Sequence, residues 1–289
     1  MHKLQRCFLL ALLGLTVFAL PATADWNVGD PYKMHYPQLP DLTPTGMDIL
    51  ATVQGSWAPQ PQWKILADDW RCTESGPVSD IHIWGSWFND YLPIGGTGLG
   101  SPNNVIFKLS IHSDIPAIPG QSPSRPGDLL WSGIFDRNAY TVRPYPPGGT
   151  QPVEEMFYDP NIHAVVGFDH QVWQYNFTNI ANPWNQQQGK IYWLDVQAMP
   201  LDTAAKFGWK TTNPVQTPHF MDDAVFADTG GFNGPLLTPW TPMAYESAPY
   251  QGQSIDMAFV ITPEPGTVVM LVGAGLTGLG LLVRRRWRK

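Results

Sequence analysis

Cysteine is nearly absent from this chain: among 289 residues only Cys7 and Cys72 occur. Cys7 falls in a leader segment considered below, so the body of the protein holds Cys72 alone and can close no internal disulfide. Its stability must come from packing or from bound metal. Cys72 lies in a strand-like stretch between Trp70 and Val78 and reads as a buried, inert thiol. Basic side chains are scarce as well. Of 17 Lys and Arg, two precede Cys7 and five stand among the last six residues. Ten remain between Asp25 and Ile261, against 23 Asp and Glu, a net charge of −13 over that span. Such a surface repels phosphate backbones and argues against a nucleic-acid partner. It is compatible with divalent cations or neutral glycans.

Helical periodicity and catalytic signatures are also lacking. No amphipathic helix of three turns can be read in the body of the chain. Neither a G-x-S-x-G elbow nor an H-E-x-x-H helix occurs. The histidines of the body (His35, His82, His112, His163, His170 and His219) form no H-x-H or H-x₃-H ligand pair. Glu154 and Glu155 are adjacent, so on a strand they point to opposite faces and cannot act together. The expectation is a protein without enzymatic activity.

What the chain has in quantity is turn formers and β-formers. Its 29 Pro and 27 Gly punctuate short runs rich in Val, Ile, Phe, Tyr and Trp. In NNVIFKLSIHSD, the residues Val105, Phe107, Leu109 and Ile111 alternate with Ile106, Lys108, Ser110 and His112, the period of a strand with one buried face. QVWQYNF sets Trp173, Tyr175 and Phe177 against polar neighbours in the same way. DIHIWGSWF, DLLWSGIF, EEMFYD, HAVVGFD, KIYWLDVQA, FGWKTT, DAVFAD and SIDMAFVIT are further strand candidates. About ten strands between turn signals predict an all-β, antiparallel β-sandwich, jelly-roll-like by preference. The sandwich is expected over residues 63–261, with 25–62 as an extended Pro/Gly-rich lead-in or edge strand.

Both ends carry targeting patterns. Lys3 and Arg6 precede an apolar run from Cys7 to Leu20, followed by Pro21-Ala22-Thr23-Ala24. This describes a secretory signal peptide over 1–24, with Ala22 and Ala24 fitting the small pockets of signal peptidase. Near the other end, Gly273, Gly275 and Gly278 match G-x-G-x-x-G, a dinucleotide-binding pattern. A nucleotide fold needs a crossover and an acidic residue about 20 positions later; only nine residues follow Gly280 and none is acidic. The glycines belong instead to an uncharged run, 266–283. As a transmembrane helix it would reach about 27 Å at 1.5 Å per residue, close to a hydrocarbon core of about 30 Å. Arg284, Arg285, Arg286, Arg288 and Lys289 would stay cytoplasmic, leaving residues 25–265 outside.

Directly before that run stands Pro263-Glu264-Pro265. Tripeptide, apolar span and terminal arginine cluster together resemble the PEP-CTERM sorting signal of exported bacterial proteins, over residues 262–289. The resemblance implies that a membrane exosortase recognises Pro263, Glu264 and Pro265 and cuts near them. The product would be released or attached at the cell surface, often with extracellular polysaccharide. A second resemblance runs through LADDW, DIHIWGSW, KIYWLDVQA, FGWKTT and DDAVF, segments similar to an uncharacterised domain of such proteins. It implies a β-sandwich and says nothing about chemistry.

Two kinds of site residue can be named. Asp68-Asp69 and Asp222-Asp223 precede apolar or aromatic residues; carboxylates on separate strands could converge on Ca²⁺, whereas turn formation through Asx hydrogen bonds is the simpler reading. Twelve tryptophans lie between Trp26 and Trp240. Core packing is the first expectation for each, with Trp193 and Trp209 the clearest cases. Trp84, Trp87 or Trp173, if exposed, would give sugar rings a stacking platform. The chain is thus expected to be an exported protein of the cell envelope or extracellular matrix, with a structural or adhesive role. A carbohydrate-binding module is the alternative, and an extracellular glycan-active enzyme stands third.

Overall fold

The computed structural model describes residues 25–53, 62–148, 154–215, 217–247 and 249–263. Sixteen strands follow one another: β1 (Met47–Leu50), β2 (Trp63–Arg71), β3 (Gly76–Pro77), β4 (Asp80–Trp87), β5 (Val105–Ile115), β6 (Arg125–Phe135), β7 (Thr141–Tyr145), β8 (Glu155–Asp159), β9 (Ala164–Asp169), β10 (Val172–Phe177), β11 (Asn185–Gln186), β12 (Ile191–Pro200), β13 (Phe207–Lys210), β14 (Val225–Thr229), β15 (Thr241–Pro242) and β16 (Phe259–Thr262). Only one 3₁₀ turn, Phe88–Asp90, interrupts them among the described residues. No helix there is long and apolar enough to cross a membrane. The span read over 266–283, the leader 1–24, and Glu264 and Pro265 lie outside the described residues.

Two large sheets form the sandwich. One runs β7-β10-β4-β13-β1-β8-β9, with β16 also on β4; the other runs β15-β14-β2-β12-β5-β6. The chain crosses between them at most connections, the winding habit of a jelly roll. β4 organises the first sheet. β10 pairs with one of its edges, while β16 takes Asp80–Ile83 and β13 takes Gly85–Trp87 on the other. All ten candidate segments read from alternation and turn punctuation contribute a strand.

The core shows why. On β5 the odd-numbered residues Val105, Phe107, Leu109 and Ile111 are fully buried against the other sheet. The Phe107 ring meets Tyr175 of β10 at 4.9 Å and Phe207 of β13 at 5.1 Å, both edge-on. Trp70 of β2 meets Phe259 of β16 in the same manner. Each such side chain contributes about 1.5–3 kcal/mol through burial, and edge-to-face pairing adds about 0.5–1.5 kcal/mol.

Two features depart from the sequence reading. Residues 25–62 are not merely a lead-in or an edge: β1 sits inside the first sheet between β13 and β8. Its pairing with β8 is parallel, in an otherwise antiparallel pair of sheets. A parallel neighbour needs a long crossover, and here the partner strands are separated by most of the N-terminal half of the chain. The other departure is that several strands are buried on both faces. Every residue of β4 is buried, because Trp26 packs edge-on against the outer face of Trp84, with Tyr145 beside it.

Candidate functional site

The outer face of the first sheet holds the most unusual chemistry. On β1, Met47 and Ile49 turn into the core, which sends Asp48 outward; on β13, Phe207 and Trp209 do the same to Lys210. Asp48 and Lys210 are cross-strand partners. Lys210 Nζ donates to Asp48 Oδ2 at 2.9 Å and to Glu155 Oε2 of β8 at 2.5 Å. Glu155 is in turn paired with Asp169 of β9. All four side chains have no exposed surface. Asp48, Glu155 and Asp169 offer carboxylate oxygens within 4.8 Å of one another, the spacing of a cation site. The Lys210 ammonium is the cation standing among them.

Packing encloses this group. Gly208 leaves room: a Cβ there would lie 2.7 Å from Asp48 Cβ and 2.8 Å from the Phe157 ring. The ring of Phe88, just after β4, meets Phe157 edge-on at 5.4 Å. In this dry setting one ammonium cannot satisfy three charged acids. Oε1 of Glu155 has no hydrogen-bond partner, and Asp48 and Asp169 have, apart from Lys210, only Ser86 beside them, which lowers both carboxyls slightly against burial. Burial raises the Asp48 carboxyl, against the pull of Lys210. It raises Glu155 to about 8 and Asp169 well above the usual carboxylate range, with the Asp48 charge adding to the effect. Burial alone would lower Lys210, but the three acids raise it. The group therefore holds protons on some of its acids beside the ammonium.

The aspartate pairs read from sequence are arranged differently. Asp68 and Asp69 lie in the middle of β2 and point to opposite faces, so they neither form a turn nor share one ion. Asp68 accepts from Gln38 Nε2, Met257 N and Asp69 N. Asp69 turns to the outer face of the second sheet, fully buried, with neither oxygen bonded. Burial, then the charges of Asp68 and Asp222, push its carboxyl well above the usual range. Asp222 and Asp223 are half-buried in the loop before β14.

The tryptophans also sort themselves. Trp84 and Trp87 have no exposed surface, and Trp87 donates its indole N–H to the Tyr175 hydroxyl. Neither offers a face to a sugar. Trp173 is half-buried against the core, while Trp193 and Trp209 are core residues as expected. Sequence reasoning missed Trp131. It lies on β6, an edge strand, and lines a cleft of about 670 Å³ with Asn138, Thr178, Asn179 and Asn182. Its indole donates to the Asn182 carbonyl at 3.0 Å. Gly133 lets the ring lie flat, since a Cβ there would stand 2.9 Å from it.

The histidines are less isolated than their spacing suggests. His163 and His170 flank β9, as expected, and contact Glu246 and Asp90. His219 contacts Asp256. His112 presents one ring nitrogen to the Gly127 carbonyl and the other to Asp195. Two acceptor groups, one at each nitrogen, favour the doubly protonated ring. Its pKa is raised accordingly, although burial opposes this.

The chain is thus an all-β sandwich with a lysine and three carboxyls sealed under one sheet. It belongs to the family defined by a domain of unknown function, DUF7901, whose model matches residues 34–262. That match takes in β1 as well as the strands after it. Comparison with curated proteins and with solved structures finds no match.

Proposed function

We propose that this chain is an exported structural or adhesive protein of the bacterial envelope or extracellular matrix, non-catalytic, and sorted through its C-terminal segment. The observation that carries the reading is the fit between the sandwich and the two sorting patterns. Asp25, the first residue after the Ala22-x-Ala24 site, already belongs to the fold. Its carboxylate accepts from Asn176 at 2.9 Å, and Trp26 beside it is buried. At the other end β16 closes at Thr262, and the Pro263-Glu264-Pro265 motif begins with the next residue. Signal peptidase and an exosortase could therefore both cut without removing a strand. The partners of this reading are those two proteases, the membrane before processing, and extracellular polysaccharide after it.

Intact mass of the protein recovered from producing cells tests it. A chain starting at Asp25 and ending close to Pro265 is expected. Retention of Arg284 to Lys289 in the mature form would refute the sorting.

A second reading, carbohydrate binding, is favoured by the Trp131 cleft. An indole face bordered by the Asn138, Asn179 and Asn182 amides combines a stacking surface with paired donors and acceptors.

A further inference from the structure

We propose that Lys210 and Asp48 become joined by an amide bond between Nζ and Cγ, an intramolecular cross-link between β13 and β1. The inference goes beyond the envelope reading and does not depend on it. Three observations carry it. Lys210 Nζ lies 2.9 Å from Asp48 Oδ2, on directly paired strands, with both side chains wholly buried. A second acid, Glu155, contacts the same nitrogen. A third, Asp169, is buried beside them with only the Ser86 hydroxyl near it, so the group holds more acid than charge neutralisation of one lysine requires.

The chemistry balances within the cluster. Two protonated acids, one carboxylate and one ammonium make it electrically neutral, the state that burial favours. Transfer of the Nζ proton to the remaining carboxylate leaves a neutral amine facing neutral acids. The Nζ lone pair attacks Asp48 Cγ, forming the C–N bond. Neutral Glu155 acts as a relay: one of its oxygens takes the second Nζ proton while the other gives its own proton to the departing hydroxyl as the Cγ–O bond breaks. One water leaves; no oxidant, reductant or further reactant takes part. Holding amine and acid in contact in a dry site supplies the proximity that free amines and acids lack in solution.

Asp48 is assigned as the acceptor because it is the register partner of Lys210, whereas the shorter contact to Glu155 suits proton transfer. The bond would tie residues 162 positions apart. That constrains the unfolded chain as a long-range disulfide does, in a body whose single cysteine, Cys72, is buried and unpaired.

Proteolytic digestion and mass spectrometry of the purified, denatured protein decide the matter. The peptides carrying Asp48 and Lys210 are expected as one branched species, lighter by one water than their sum, with no tryptic cut after Lys210. Lys64, equally buried against Asp228, is expected as an ordinary linear residue and serves as the internal comparison. Recovery of Lys210 in a linear peptide overturns the proposal, as does a branch to Glu155 or at Lys64 instead. Glu155→Gln, checked for folding by its melting transition, is expected to yield the linear peptides. A branched product from the folded variant overturns the role given to Glu155.

Discussion

His82 Nδ1 lies 2.7 Å from Asn176 Oδ1, and this contact joins the two ends of the sandwich. Asn176 also donates to Asp25, where the described chain begins, and His82 Nε2 stands 3.3 Å from the Thr262 hydroxyl at the close of β16. Four residues from four separate parts of the sequence thus form one polar chain, buried at His82, Asn176 and Thr262 and reaching the surface at Asp25. Nδ1 donates to the Asn176 oxygen, burial keeps the ring neutral, and Nε2 then accepts from the Thr262 hydroxyl.

The neutral ring makes the junction acid-sensitive. Burial lowers the His82 pKa from 6.5 to about 4. The unfolded chain accepts a proton near the higher value, while the folded one resists it down to the lower. Stability from this residue is therefore complete above pH 6.5 and falls as pH drops towards 4. His35, lowered to about 3 by burial, acts in the same direction, so comparison with a variant isolates His82. His82→Phe strands the Asn176 and Thr262 groups and should cost about 1–3 kcal/mol at neutral pH. Melting midpoints across pH should show the gap between variant and parent narrowing as pH falls from 6.5 to 4. A gap that stays constant would mean that His82 is not the titrating group.

Gly85, the glycine of β4, should tolerate no side chain. A Cβ there would stand 2.3 Å from the Gly208 carbonyl oxygen and 2.4 Å from the Phe207 ring. Ordinary overpacking costs about 1–3 kcal/mol; a backbone atom cannot swing aside, so Gly85→Ala should reach or exceed the top of that range. Gly96, where an added Cβ would meet nothing within 4 Å, is the comparison. Gly96→Ala should shift stability by less than about 0.5 kcal/mol. Chemical denaturation of both variants reads the difference directly.

These cases show what could be read from the chain and what could not. Alternation and turn residues are local, so segments such as NNVIFKLSIHSD and QVWQYNF declared their strands and buried faces. MDIL did not, because four residues flanked by Pro and Gly carry too little periodicity to announce a central strand. The parallel pairing of β1 with β8 is a fact of topology with no local signature. Asp48 and Lys210 each appear as a lone charge beside apolar residues, a signal of burial with a partner, while Glu155 is masked by its neighbour Glu154. One sequence cannot say which charges meet when they are 55 and 162 positions apart. Tryptophan exposure was equally hidden. Trp131 and Trp84 sit in similar aromatic runs, and only the place of β6 at the sheet edge leaves the first accessible.

Asp68 and Asp69, adjacent in sequence, should respond oppositely to the same change. Asp68 receives three hydrogen bonds, and these oppose the rise that burial and the Asp256 charge impose on its carboxyl. Asp68→Asn replaces an accepting oxygen by an amide that opposes one of those donors, at a cost of about 1–3 kcal/mol. Asp69 has no partner for either oxygen, and burial raises its pKa well above the ordinary value. A group that holds its proton more tightly when folded contributes most at low pH and loses that contribution as pH rises above its unfolded pKa. Asp69→Asn removes this penalty. At neutral pH it should melt higher than the parent, and the two should converge in acid. Equal destabilisation by both substitutions would show that Asp69 is bonded in solution.

Trp131, rather than Trp84, Trp87 or Trp173, should decide whether the protein binds glycans. Its ring lines a cleft at a sheet edge, although it packs against the core as Trp173 does; Trp84 and Trp87 have no exposed surface. Affinity electrophoresis through gels containing soluble polysaccharides provides the measurement. If the carbohydrate reading holds, at least one polysaccharide retards the parent protein. Trp131→Ala should abolish that retardation, since losing a stacking aromatic at the centre of a site commonly costs at least about 2 kcal/mol of binding. Trp131 and Trp173 are both half-buried against the core, so either substitution should lower the melting midpoint. Trp173→Ala should leave retardation in place. Retardation that survives Trp131→Ala would remove the cleft from consideration and leave the structural reading as the better account of the domain.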